Sequence, residues 1–121
     1  MDHSPGFLKL VNEAKSNIRE ISVDELRQRL KANPKLTVLD VREDREWAAG
    51  HAVEANLGKG ILERDLERRF PDLQAEIIMY CGGGFRSALT CEVAQRMGYR
   101  NVASLVGGYK ALTAAGWTMT R

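Results

Sequence analysis

A chain of 121 residues has room for one compact domain, and its balance of 44% hydrophobic and 28% charged residues excludes both a disordered chain and a disulfide scaffold. The 18 Lys and Arg are scattered among 16 Asp and Glu, for a formal net charge of +2, so no basic run marks a nucleic-acid groove. No stretch approaches the ~18 consecutive apolar residues of a membrane span, and Met1-Asp2-His3-Ser4-Pro5 lacks the basic-then-apolar order of a secretory signal, so the expected address is the cytoplasm.

Phe7, Leu10, Val11, Ala14 and Ile18 recur at spacings of three and four, which predicts an amphipathic helix over 6–18. Residues 1–19 therefore read as a helical extension preceding a domain over 20–121. Ser22 followed by Glu25 is a capping-box pattern, and Val23, Leu26 and Leu30 continue it as a helix ending before Pro34. Leu36-Thr37-Val38-Leu39, closed by Asp40, reads as a buried parallel strand. A short helix over 43–49 stops at Gly50. A second, over 61–70, stops at Pro71 and carries Ile61, Leu62, Leu66 and Phe70 at helical spacing. The charged residues between them form a solvated face.

Ile77-Ile78-Met79-Tyr80 is a second buried strand running into Cys81 and three glycines. A helix over 87–97 closed by Gly98, a strand over 101–106, a Gly107-Gly108 turn and a last helix over 109–115 before Gly116 complete the chain. Strands alternating with helices predict an α/β domain, a mainly parallel central sheet flanked by helices on both faces.

Parallel sheets open their crevice at the carboxyl ends of the strands, which singles out Asp40-Val41-Arg42 and the segment Cys81, Gly82, Gly83, Gly84, Phe85, Arg86, Ser87. A cysteine where a strand ends and a helix begins receives backbone N–H groups from the loop and the helix start. Three glycines permit the positive φ angles of a curled loop. The helix dipole, the orphan N–H groups and Arg86 all favour negative charge at the sulfur. Such a cradle suits a nucleophilic thiolate or the terminal sulfur of a persulfide. Cys91, inside the following helix, reads as a buried inert thiol. A disulfide between the two is not expected. No His, Cys or carboxylate spacing resembles a metal site, and His51 reads as a structural hydrogen-bonding residue.

C-x4-R-S at a strand-to-helix turn resembles the active-site loop of the rhodanese family. Asp40-Val41-Arg42 is similar to its D-x-R segment and Glu46 with Gly50-His51 to its E-x3-G-H block. Asn56-Leu57 and Leu105-Val106-Gly107-Gly108-Tyr109, with Gly116-Trp117, resemble its later marks. The resemblance spans about residues 20–118. It implies a rhodanese-like three-layer fold and a sulfurtransferase that needs no cofactor. Cys81 would carry the transferred sulfur, residues 82–87 would bind substrate, and Asp40 and Arg42 would support the loop. The implied partners are a small-molecule or protein sulfur donor, such as thiosulfate or a persulfide, and a thiophilic acceptor. The chain departs from thiosulfate-using members in having no second cation in the loop beside Arg86, so weak thiosulfate binding is expected. The rival readings are a non-catalytic binding or sulfur-carrier module, and a cysteine phosphatase or arsenate reductase. The last pair needs C-x5-R, one loop residue more than is present.

Overall fold

The computed structural model describes residues 3–121, in ten elements. These are α1 (Pro5–Lys15), β1 (Glu20–Ile21), α2 (Val23–Ala32), β2 (Thr37–Asp40), α3 (Asp44–Ala49), α4 (Lys59–Arg69), β3 (Ile77–Tyr80), α5 (Phe85–Arg96), β4 (Val102–Leu105) and α6 (Gly108–Ala114). The four strands form one sheet in the order β1-β4-β3-β2, and every pairing is parallel. The α/β expectation is met, with a sheet that is wholly rather than mainly parallel.

Side-chain alternation along β3 explains the three layers. Ile77 and Met79 face a cluster containing Leu62 and Leu66 of α4 and Cys91 and Ala94 of α5. Ile78 and Tyr80 face the opposite cluster, with Leu26 of α2 and Leu112 of α6. All four β3 residues are fully buried, and burying each such side chain contributes roughly 1.5–3 kcal/mol. From β1 the chain crosses to the far edge at β2, with α2 on one face, and then returns through β3 to β4 with α4 and α5 on the other. A uniform right-handed crossover requires this change of face when the direction of travel reverses.

The pair β1 lies outside the sequence expectation, because two residues carry no periodicity. It is defined only by its partners, Glu20 opposite Ser104 and Ile21 opposite Leu105. The Ser22 cap is half of the expected box: its side chain accepts the Glu25 N–H at 3.1 Å, while the Glu25 carboxylate accepts from Arg29 instead. Helix α1 packs across α5 through Val11 and Ala14 against Ala88, with Phe7 and Phe85 beside them. No helix among the described residues is long and apolar enough to cross a membrane.

Candidate active site

Strand β3 delivers Cys81 at its carboxyl end, and α5 begins at Phe85, two residues earlier than its apolar stripe predicts. Phe85 and Arg86 are thus the first residues of the helix, not loop. Cys81 is 1% exposed, and its Sγ accepts the Gly84 N–H at 3.1 Å and the Ser87 N–H at 3.4 Å. The two donors come from the loop and from the start of a 12-residue helix, whose dipole adds to them. Of the three loop glycines only Gly84 has positive φ, at 95°. A β-carbon there would also press on the Gly107 nitrogen at 3.2 Å, so the curl of the loop depends on this residue.

Behind the sulfur, Ser87 Oγ lies 3.6 Å from Sγ and 2.7 Å from Ser104 Oγ. Ser104 is a fully buried polar residue in β4 that sequence reasoning did not single out. Its signal is a hydroxyl at an inward position of the apolar run 102–105. In front, the Cys81 and Gly82 carbonyls accept the N–H groups of Tyr109 and Lys110 at 2.7 and 3.2 Å, which fastens α6 to the loop.

Arg86 turns toward α3. Its two terminal nitrogens donate to Glu46 Oε1 and Oε2 at 2.6 and 3.0 Å, a bidentate pair that holds the Glu46 carboxyl below its ordinary range. Local structure places Glu46 for this role, because the same Oε1 accepts the Glu43 N–H at the start of α3. Lowering of the Glu46 pKa makes the pair stabilising above the ordinary carboxylate value, and that stabilisation is lost as pH falls through the lowered folded value. With side chains 31% and 32% exposed, the pair contributes about 1 kcal/mol at most. Glu46→Gln leaves the guanidinium without a countercharge. Its expected effect is alkylation of Cys81 by anionic iodoacetate about three- to tenfold faster, measured against neutral iodoacetamide. An unchanged or slower iodoacetate rate would show that the pair serves only to orient the arginine.

Asp40 and Arg42 lie together behind the loop rather than at the sulfur. Asp40 is fully buried and takes both the Arg42 N–H at 2.9 Å and its guanidinium at 2.8–3.1 Å. Arg42 goes on to the Gly50 carbonyl at 2.6 Å and lies 4.2 Å from the Tyr109 ring centroid. Asn56 closes the same turn, donating to the carbonyls of Asp40 and Arg42 at 3.0 and 3.1 Å. His51 is buried away from Cys81, stacked on Trp47 with centroids 3.7 Å apart. Its Nδ1–H donates to the Trp47 carbonyl at 2.8 Å, which fixes the tautomer. Cys91 is also fully buried, both cysteines are free thiols, and burial pushes the Cys91 thiol far up.

Above the sulfur lies a cleft of about 730 Å³, floored by Cys81, Gly82 and Gly83. Its walls come from α3 and its N-cap, with Glu43, Arg45 and Glu46, from α5 with Phe85 and Arg86, and from Lys110 of α6. The N-terminal segment supplies His3, Ser4 and Phe7, so the predicted extension forms part of the cleft. Sequence reasoning did not bring Lys110, Arg45 or Phe7 to this place, since each is remote in the chain from Cys81.

The model of the rhodanese-like domain family matches residues 22–115. YtwF of Bacillus subtilis (strain 168), named for a sulfurtransferase, is 32% identical over 95 residues that cover 78% of this chain and 89% of YtwF. YrkF of the same strain, named for a sulfur carrier protein, is 30% identical over 107 residues; these cover 84% of this chain but only 55% of the length of YrkF. Among solved structures, RPA3614 of Rhodopseudomonas palustris CGA009, described as a protein of unknown function and possible tyrosine phosphatase, superposes with a TM-score of 0.82 at 26% identity. That match covers 99% of this chain and 98% of the other, α1 included. With the family's model spanning most of its length, the strand-loop-helix around Cys81 and the all-parallel sheet belong to one description: the chain is a member of the rhodanese-like domain family.

Proposed function

We propose that the protein is a sulfurtransferase in which Cys81 carries the transferred sulfur as a persulfide. The observation that carries this reading is a cysteine sulfur held by the Gly84 and Ser87 N–H groups at the floor of an open cleft. In the first step the Cys81 thiolate attacks the terminal sulfur of a donor. The new Sγ–S bond forms as the donor's own bond to that sulfur breaks, and the remainder leaves with the electron pair, sulfite in the case of thiosulfate. In the second step an acceptor thiolate attacks the outer sulfur and the Cys81 thiolate is regenerated. Backbone N–H groups stabilise negative charge on the sulfur, as thiolate or as persulfide, without rearranging. The chain's own residues suffice for both steps, and no cofactor takes part in them.

Burial supports sulfur chemistry over phosphoryl chemistry. A thiol on a residue only 1% exposed is reached by a single terminal atom more readily than by a tetrahedral phosphate. The guanidinium that a phosphatase would turn on its substrate is here engaged with Glu46. The test is intact-mass spectrometry after exposure to thiosulfate or an organic persulfide, followed by peptide mapping. One added sulfur atom on the peptide containing Cys81 is expected, together with negligible hydrolysis of aryl phosphates. Sulfur on Cys91, or robust phosphatase turnover, would overturn the reading.

A further inference from the structure

Three cations line the cleft, and two are already neutralised. Arg86 is paired with Glu46 at 2.6 Å and Arg45 with Glu43 at 3.3 Å. Lys110 has no carboxylate within ion-pair distance among the described residues, so the unbalanced positive charge of the cleft is its ammonium. Its place is fixed by backbone: the Lys110 N–H donates to the Gly82 carbonyl at 3.2 Å, one residue from Cys81. On the side of α1 and α5 the cleft is aromatic. Phe7 and Phe85 have ring centroids 6.4 Å apart, and the His3 ring lies 4.5 Å from that of Phe85. A β-carbon at Gly83 would sit 3.7 Å from the Phe85 ring, so the missing side chain leaves the edge of that ring open to the cleft.

A ligand that satisfies both walls has an apolar body for the rings and one negative charge for the ammonium, with a terminal sulfur between them. Thiosulfate has a second charge and no apolar body. Resting on the sulfurtransferase reading, we infer that Lys110 and the Phe7–Phe85 wall select the donor, and that the site takes an organic sulfane-sulfur monoanion in preference to thiosulfate. With a thiosulfonate, R–SO2–S⁻, the Cys81 thiolate takes the terminal sulfur and a sulfinate, R–SO2⁻, leaves, so one negative charge enters and one departs. Helix α1 lies outside the segment matched by the family model, and donor choice is thereby partly assigned to this extension.

The experiment measures the rate of Cys81 persulfidation by intact mass on the full chain with benzenethiosulfonate, methanethiosulfonate and thiosulfate, at low and high salt. The unmodified protein is expected to react about tenfold faster with benzenethiosulfonate than with its methyl counterpart, as burial of a phenyl ring against the wall implies. Phe7→Ala should reduce that ratio to about two. Lys110→Gln should slow benzenethiosulfonate about fivefold and flatten the salt dependence, with Lys110→Arg restoring both. Alkylation by neutral iodoacetamide should fall much less than the thiosulfonate rate in Lys110→Gln. Equal rates for the two thiosulfonates, or salt dependence and rates unaltered by Lys110→Gln, overturn the inference while Cys81 still gains sulfur. Failure of every donor to load Cys81 overturns the underlying sulfurtransferase reading instead.

Discussion

Cys81→Ser is expected to abolish sulfur transfer, lowering turnover on the order of 10³-fold or more while leaving the fold intact. The substitution is close to isosteric, and the Gly84 and Ser87 N–H groups that now point at sulfur would donate equally well to a hydroxyl oxygen. The loss is therefore one of chemistry rather than packing. A serine hydroxyl at neutral pH is a poor nucleophile with no general base beside it, since His51 is committed to Trp47. Cys91→Ala provides the contrast. That thiol is fully buried on α5, and burial pushes its pKa far above the ordinary value, so it stays neutral. Its removal should cost about 1 kcal/mol of stability through the lost packing and leave transfer largely intact. Turnover should thus fall only in Cys81→Ser, and the urea midpoint only in Cys91→Ala. Transfer that survived Cys81→Ser would remove the proposed nucleophile from the reaction.

What the sequence makes legible follows the range of the interactions. Strand β3, the loop and α5 are contiguous, so an apolar run, three glycines and a helical stripe are enough to bracket residues 81–87. Strands β2 and β4 are legible for the same reason, being short runs of mostly apolar or β-branched residues that meet turn residues. Strand β1 is not, because a two-residue strand exists only through its pairing with β4, and pairing leaves no local pattern. The three glycines look equivalent in sequence, yet only Gly84 takes a positive φ. The others stay free of side chains for a different reason, which at Gly82 is the Arg86 guanidinium 3.1 Å from where a β-carbon would sit.

Long-range partners are the least legible part of the site. Arg86 reads from sequence as a free cation beside Cys81, and Glu46, 40 residues earlier, cancels its charge. The loop itself holds no second cation, as the sequence indicates, but Lys110 brings one to the cleft from α6. Charge at this site is set by which helices meet above the sulfur, and composition along the loop cannot report that.

Gly108→Ala is expected to be the most destabilising single-methyl substitution, costing about 3–5 kcal/mol from backbone strain and overpacking together. Gly108 has φ of 52°, a conformation an L-residue adopts at some cost. More important, its β-carbon would collide with the Cys81 carbonyl oxygen and lie 3.0 Å from the Cys81 carbonyl carbon. That carbonyl cannot retreat easily. It follows β3, which is hydrogen-bonded on both sides in the sheet, and it accepts the Tyr109 N–H at 2.7 Å. The alternative is for α6 to lift, which breaks that bond and the one from Lys110 to Gly82. Either movement shifts the peptide that positions Cys81, so iodoacetamide reactivity should change along with the urea midpoint. Gly116→Ala separates the two causes. Gly116 also has positive φ, at 79°, but no atom lies within 4 Å of its would-be β-carbon, so only strain of about 1 kcal/mol applies. Gly108→Ala should therefore lose at least about 2 kcal/mol more than Gly116→Ala in equilibrium unfolding. Equal losses would show that α6 rests loosely on the Cys81 loop and does not set its position.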